Sequence, residues 1–261
     1  MAKIYYVGDW AVLTGPVFAE SPFQFAPKGL EIFNYGVWLK NALESTGKHT
    51  VESVAVWDFY KLPPGAYEKI LDEYDVLIFS DFEAKLFQLN PDFFERQKFG
   101  KGILTFPDRV RLTIEAVKAG KGLMMLGGWY SFTGELGKGG WGRTRLREIL
   151  PVQCLDHEDL VESTEGFFPE LTESGLLRYR DLSLENFPPV LGYNETNPIP
   201  EGEVLCRIKE TGDPLVAIRE VGKGKVLAYT SDPAPHWGLN FVYWDHYNDF
   251  WLKSLELVLN S

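Results

Sequence analysis

The feature that most constrains this chain is a repeated pairing of a short apolar run with a stripe of apolar residues at helical spacing. Lys3–Val7, Thr50–Val56, Asp75–Phe79 and Gly122–Leu126 each have the length of a buried strand and are too short for a buried helix. A helix is expected from about Gly29 to Ser45, with Leu30, Phe33 and Val37 on one face and Gly47 as its stop. Pro63-Pro64-Gly65 opens a short helix ending near Tyr74. Another begins at Pro107, carries Val110, Ile114 and Val117, and ends at Gly120. Thr144–Leu150 reads as a further short helix. Strands that alternate with helices pair in parallel through right-handed crossovers, so the chain is α/β with a mostly parallel sheet.

The C-terminal third changes character. Glu203–Ile208, Leu215–Glu220 and Lys225–Thr230 are strand-like, and the breaks Thr211-Gly212-Asp213 and Gly222-Lys223-Gly224 suit tight antiparallel turns. A final helix is expected from about Asn240 to Leu259. Its Phe241, Tyr243, Trp244, Tyr247, Phe250, Trp251, Leu255 and Val258 cover more than one face, which calls for deep packing or for a homo-oligomer interface.

The net charge of −11 disfavours nucleic acid, whose phosphates need clustered Lys and Arg, and disfavours anionic membranes. Asp156–Pro200 holds ten acidic residues against Arg178 and Arg180 alone, so most of the excess sits in one segment. Its Pro and Gly punctuation implies irregular structure or short strands laid over the sheet, within one domain spanning 1–261. A solvated acidic face is the plain reading of that segment; a lid or interaction surface is the alternative. Cys154 and Cys206 are too few for a disulfide framework, the N-terminal run is too short for a signal peptide, and no apolar stretch reaches 18 residues. A cytoplasmic protein without a membrane partner is expected.

Ligands of open parallel sheets bind beyond the carboxyl ends of the strands. Those ends read Gly8-Asp9-Trp10, Trp57-Asp58, Ser80-Asp81-Phe82, Gly127-Gly128-Trp129-Tyr130-Ser131-Phe132 and Ser231-Asp232-Pro233-Ala234-Pro235-His236-Trp237. Four of the five carry an Asp and four a Trp. That pattern predicts a ligand cleft at Asp9, Trp10, Asp81, Gly128, Trp129, Tyr130, Ser131, Asp232, His236 and Trp237. Carboxylates would accept hydroxyl hydrogen bonds from a sugar or polyol while aromatic faces stack on it, or the ring faces would hold a cation. Taken singly, each Asp reads equally well as a helix cap and each Trp as a plug over the sheet. His236 is the one His well placed for acid–base work, with Asp232, Asp81 and Asp9 the other catalytic candidates. Asp9, Asp81, Asp232 and His236 would be the ligands of a metal, but no zinc spacing occurs, and neither metal nor cofactor is expected. Gly137–Gly142 lacks phosphate-loop spacing and reads as a flexible surface loop.

Gly127-Gly128-Trp129-Tyr130-Ser131 has the outline of a strand–turn–helix elbow with Trp129 at its centre. Together with Tyr6-Val7-Gly8-Asp9-Trp10, Tyr74–Asp81, Pro188-Pro189-Val190-Leu191-Gly192-Tyr193 and Thr230–Gly238, it makes the chain resemble the glutamine amidotransferase-like proteins. These form a branch of the class I glutamine amidotransferase-like superfamily, and the chain is similar, more distantly, to trehalose-utilisation-type proteins. The resemblance implies a flavodoxin-like parallel sheet with helices on both faces, here with a C-terminal antiparallel hairpin extension. A working glutaminase of this superfamily carries G-x-C-x-G at the elbow and His-x-Glu near the C-terminus. This chain has Trp129 where the cysteine belongs and Thr230-Ser231-Asp232 at the second position. Glutamine hydrolysis is therefore expected to be absent. The remaining expectations are small-molecule binding, acid–base catalysis on a sugar-like or amide substrate, or a non-catalytic assembly role.

Overall fold

The computed structural model describes residues 1–14, 17–21, 24–27, 30–95, 97, 102–180, 182 and 187–259. Strand β1 (Ala2–Gly8) is followed by a ribbon of β2 (Trp10–Thr14), β3 (Val17–Ser21), β4 (Gln24–Pro27) and β5 (Leu30–Asn34), in which β2 pairs with β5 and β3 with β4. Next come α1 (Val37–Glu44), β6 (His49–Val54), α2 (Val56–Tyr60), α3 (Ala66–Glu73), β7 (Val76–Ser80), α4 (Ala84–Gln88), α5 (Arg109–Ala119) and β8 (Gly122–Leu126). The acidic segment and its flanks form β9 (Val152–Cys154), β10 (Leu160–Phe167), β11 (Pro169–Leu171), α6 (Glu173–Arg178), β12 (Val190–Asn194) and β13 (Thr196–Pro198). The chain closes with β14 (Glu203–Ile208), β15 (Pro214–Val221), β16 (Gly224–Tyr229), α7 (Leu239–Val242) and α8 (Tyr247–Val258).

The main sheet has eight strands in the order β11-β14-β15-β16-β8-β7-β1-β6. From β16 to β6 all neighbours are parallel, and β11, β14 and β15 add an antiparallel flank. This is the flavodoxin-like α/β arrangement with an antiparallel extension. Side chains alternate between two cores, as the period of two in a strand requires. Ile4, Ile78, Met124 and Leu227 face the core built with α1 and α8. Tyr5, Leu77, Leu123 and Val226 face the core built with α2, α3, α4 and α5. Burial on both faces explains why these strands are continuous apolar runs. Helix α5 begins where Asp108 accepts hydrogen bonds from the amides of Val110 and Arg111, and Gly120 ends it.

Four local expectations are corrected. The first helix starts at Val37, preceded by strand β5, and Gly29 lies outside the described residues. The cause is at Asp9, whose carbonyl accepts from both Tyr35 N (2.8 Å) and Gly36 N (3.1 Å) and turns the chain there. The residues that α1 buries are Leu39, Ala42 and Leu43, while Phe33 and Val37 are exposed. Thr144–Leu150 is a 3-10 turn over Arg145–Glu148, capped by Thr144. The final helix is broken between Val242 and Tyr247; Tyr247 is held by its hydroxyl on the Pro233 carbonyl. The break lets Phe241, Phe250 and Trp251 enter one core while Tyr243 stays outside, so the aromatics of this helix are mostly spent within the chain. Lastly, the Gly137–Gly142 loop is pinned: Trp141 is fully buried, stacks on Phe79, and donates its indole N–H to the Phe82 carbonyl at 2.6 Å.

Removing that anchor measures how much the loop contributes. Trp141→Ala is expected to lower unfolding free energy by about 3–5 kcal/mol, as for other fully buried large aromatics. Urea unfolding followed by circular dichroism checks it, and a loss under 1 kcal/mol would show the loop to be loosely held.

Candidate functional site

Register assembles the site. Gly8 stands opposite Ser80, Ser80 opposite Leu126, and Leu126 opposite Tyr229, so four adjacent parallel strands end at one level. The residues that follow are Asp9, Asp81, Gly127-Gly128 and Thr230-Ser231-Asp232. The chain leaves β1 for β6 on one side and returns through β7 on the other, which places a topological switch point between Asp9 and Asp81. The strand ends are tightly fitted. A Cβ on Gly8 would stand 1.7 Å from the Ser80 carbonyl oxygen, and Gly8 has φ +123°. Asp9 and Asp81 take φ of +54° and +44°, a region that Asp tolerates better than most residues.

A cavity of about 360 Å³ opens over these ends, lined by Asp9, Trp10, Ala11, Tyr35, Asp81, Trp129, Asp232, Ala234, Pro235 and His236. Six of the ten residues expected from the sequence are there. The other four lie just behind. Gly128 (φ +139°) is the floor: a Cβ there would meet Asp81 Oδ1 at 2.8 Å and Asp232 Oδ1 at 3.0 Å. Tyr130 donates its amide to Asp81 Oδ1 at 2.7 Å. Ser131 is fully buried, donating to the Leu126 carbonyl (2.5 Å) and accepting from the Asp81 amide (3.0 Å). Trp237 is buried behind His236, with ring centres 5.0 Å apart. Trp57 and Asp58 fall in α2, and Trp57 reaches the site only through an edge contact with Trp10. The expected elbow continues into irregular turns and not a helix, because Glu135 N returns to the Trp129 carbonyl and Trp141 N to the Phe132 carbonyl. A larger groove of about 860 Å³ lies at the opposite, amino end of the sheet, between Ala2, His49 and Gly122.

No helix cap explains the three aspartates. Asp9 accepts from the Tyr6 hydroxyl and from Ser80 Oγ (3.0 Å), and its carboxyl is held well above the usual carboxylate range by burial and by Asp232. Burial, then the charge of Asp232, pushes Asp81 up to about 7. Asp232 is raised by burial, against the opposing pull of His236, whose Nδ1 pairs with Asp232 Oδ2 at 2.6 Å. For His236, burial favours the neutral ring, but the Asp232 hydrogen bond and charge outweigh it and raise its pKa. The backbone of His236 is strained at φ +144°. Carboxyls whose pKa is raised, beside an imidazole whose pKa is raised too, can exchange protons and accept several hydrogen bonds. Among the described residues, no group of three His, Cys, Asp or Glu is placed to hold a metal ion.

Sequence reasoning missed three contributors. Tyr35 enters because the β2–β5 ribbon brings it back beside Trp10. Tyr6 lies within β1 with its ring in the core beneath the strand end, and its hydroxyl reaches Asp9. Glu162 comes from the acidic segment: its Oε1 accepts the indole N–H of Trp129 (3.2 Å) and of Trp237 (2.8 Å) and stands 3.6 Å from His236 Nε2. Burial would raise Glu162, and the two indoles and His236 more than offset it. The segment is latched to the sheet edge. Asp159 accepts from the amides of Thr133 and Gly134 and from Asn194, which in turn accepts from Gly128 N. Ser231 Oγ donates to the Gly192 carbonyl, and Gly192 leaves room for Trp237, whose Nε1 would stand 2.5 Å from a Cβ there. Two of the ten acidic residues counted there, Asp159 and Glu162, are thus structural parts of the site. The only sequence signal was the charge density itself.

A family model described as "Putative glutamine amidotransferase" matches residues 28–260. A cytoplasmic protein of Salmonella typhimurium has a similar solved structure, with 26% identity, a TM-score of 0.87 and 100% of both chains covered. A second cytoplasmic protein, from strain LT2, shows 30% identity and a TM-score of 0.84 over 99% of this chain and 100% of its own. A β-galactosidase from Rahnella sp. R3 shares the fold at 14% identity and a TM-score of 0.50, with 30% of its chain covered. No curated protein matches the chain.

Two measurements follow from the electrostatics. An unfolded Asp ionises near 3.9, so with Asp81 at about 7 the fold binds more protons than the unfolded chain between those values. Stability from this group is therefore greatest at acid pH and is lost as pH rises toward 7. Asp81→Asn should be more stable than the parent at pH 8 by roughly 2–4 kcal/mol, with the advantage vanishing toward pH 4. Denaturant unfolding at both pH values decides it. Glu162→Gln, which keeps an acceptor for both indoles, should lower the His236 pKa by about half a unit in an NMR titration.

Proposed function

The chain belongs to the glutamine amidotransferase-like family, and from that premise we propose that it is a member without glutaminase chemistry that binds a small polar ligand at the carboxyl edge of its sheet. The observation that carries this reading is Trp129. It occupies the turn after β8, where a glutaminase needs its cysteine, and its indole is fixed there by Glu162 and by edge contact with the His236 ring, 4.4 Å away. An indole held in this way is a wall for a ligand and no nucleophile. Both cysteines sit elsewhere, Cys154 in β9 and Cys206 in β14, and burial pushes each thiol up to about 12, far from the thiolate that attack requires. A cytoplasmic location fits the names of the two Salmonella relatives, and no helix among the described residues is long and apolar enough to cross a membrane.

A second reading has its own support. Asp81 at about 7 and the raised His236 face one cavity, which is what an enzyme acting on a sugar-like or amide substrate would use as acid and base. The assembly reading draws little from α8, because Phe250 and Trp251 are committed to the chain's own core.

Incubation with glutamine, with and without ammonia acceptors, is expected to release no glutamate above the uncatalysed rate; sustained release would overturn the proposal. Ligand binding should quench tryptophan emission, and Trp129→Ala should abolish most of that quench.

A further inference from the structure

We propose that the ligand of this cleft is a small organic monocation, a primary ammonium or guanidinium on an apolar or aromatic body, with its charge seated between Asp81 and Asp232. This rests on the cleft being a small-molecule site and names the chemical class it takes. Among the described residues every ionisable side chain lining the cavity is a carboxyl except His236 and Tyr35, and His236 is already paired with Asp232, so an anion finds no free cation there. Asp232 is the key acceptor. Its side chain is 8% exposed, and its Oδ2 is taken by His236 Nδ1 and the Trp237 amide. Its Oδ1 has no hydrogen-bond partner among the described residues, and it and Asp81 Oδ1 both stand over Gly128, 3.0 and 2.8 Å from where a Cβ would sit there, so only glycine lets the two carboxyls come this close. An accessible carboxylate oxygen without a protein donor is open to a ligand N–H.

Asp81 is the carboxyl with most room for that donor. His236 Nδ1 takes Asp232 Oδ2 and Glu162 stands 3.6 Å from the other ring nitrogen, while the Tyr6 hydroxyl and Ser80 Oγ donate to Asp9. Among the described residues Asp81 accepts the Tyr130 amide on Oδ1 alone, with Asp9, Asp232, His236 and Glu83 the titratable groups acting on it. A neutral polyol would leave Asp81 to ionise unpaired. An ammonium stabilises the ionised form and releases its proton to solvent. The walls suit the rest of such a ligand: Trp129, 44% exposed and with its ring plane fixed by Glu162, faces the cavity with Trp10 and Tyr35. Ring faces attract cations and cover apolar groups equally well. The volume of about 360 Å³ is at the small end for ligand pockets and admits one compact amine.

Phenethylammonium, its neutral near-isostere phenethyl alcohol and glucose form the test set, titrated into the full chain by calorimetry and tryptophan fluorescence. The ammonium should bind at least tenfold tighter than the alcohol and release a proton fraction at pH 6, read from two buffers of different ionisation enthalpy. Its affinity should rise up to about tenfold from pH 6 to 8. Asp81→Asn should bring the preference for the ammonium over the alcohol below twofold; Asn keeps the left-handed backbone open, and Asp232→Asn replaces it should that variant unfold. Equal binding of alcohol and ammonium, glucose binding alone, or ammonium binding without proton release overturns the cation and leaves the cleft standing. No Trp129-dependent binding of any of the three overturns both.

Discussion

Everything at this site follows from the level at which four parallel strands stop. Parallel pairing fixes neighbouring strands in register, and the pairs Gly8–Ser80, Ser80–Leu126 and Leu126–Tyr229 leave no freedom in where the next residues fall. Three of those next positions bear carboxyls. They are brought together by the sheet and not by attraction to each other, so the fold holds mutually repelling groups in a place that water reaches poorly. The result is visible in protonation: Asp9 well above its ordinary value, Asp81 near neutrality, and Asp232 steadied by an imidazole. A sheet stabilised by two large apolar faces can sustain such a cluster at one edge.

The same logic explains what was legible in the residues alone. β7 and β8 fall where their apolar runs do, because a strand buried on both faces needs continuous hydrophobicity. Helix α5 was legible from Pro107, its stripe and Gly120. The residues after each apolar run located the edge, and six of the ten they drew in line the cavity. What could not be read was anything decided by long-range contact. Leu30, Phe33 and Val37 have helical spacing by coincidence, and the turn held by the Asp9 carbonyl puts off the helix start to Val37. The last helix looked continuous because nothing local interrupts Asn240–Leu259; the Tyr247 hydroxyl on Pro233, fourteen residues away, belongs to the break. Ser131 looked like a candidate because hydroxyls at turns often are, yet both its hydrogen-bonding roles are used by the backbone.

Glu162 was the hardest residue to foresee. Nothing distinguishes it in sequence from the other acidic residues around it, and its role exists only because β10 pairs with β12 and lays that strand beside two indoles from distant loops. Acidity in that segment therefore has two physical meanings. Asp159 is internal and nearly unexposed, tying turns together, whereas Asp156 and His157 meet in solvent.

The segment that brings Glu162 is also separable from the sheet in a way that matters over longer times. The carboxyl floor is tied to register, and changing it disturbs four strands at once. The wall is carried on a short antiparallel pair fastened to the edge by Asp159, Asn194 and the Ser231–Gly192 bond. Its outward residues are free to drift so long as those fastenings remain. The wall can therefore be altered at far lower cost to the fold than the floor.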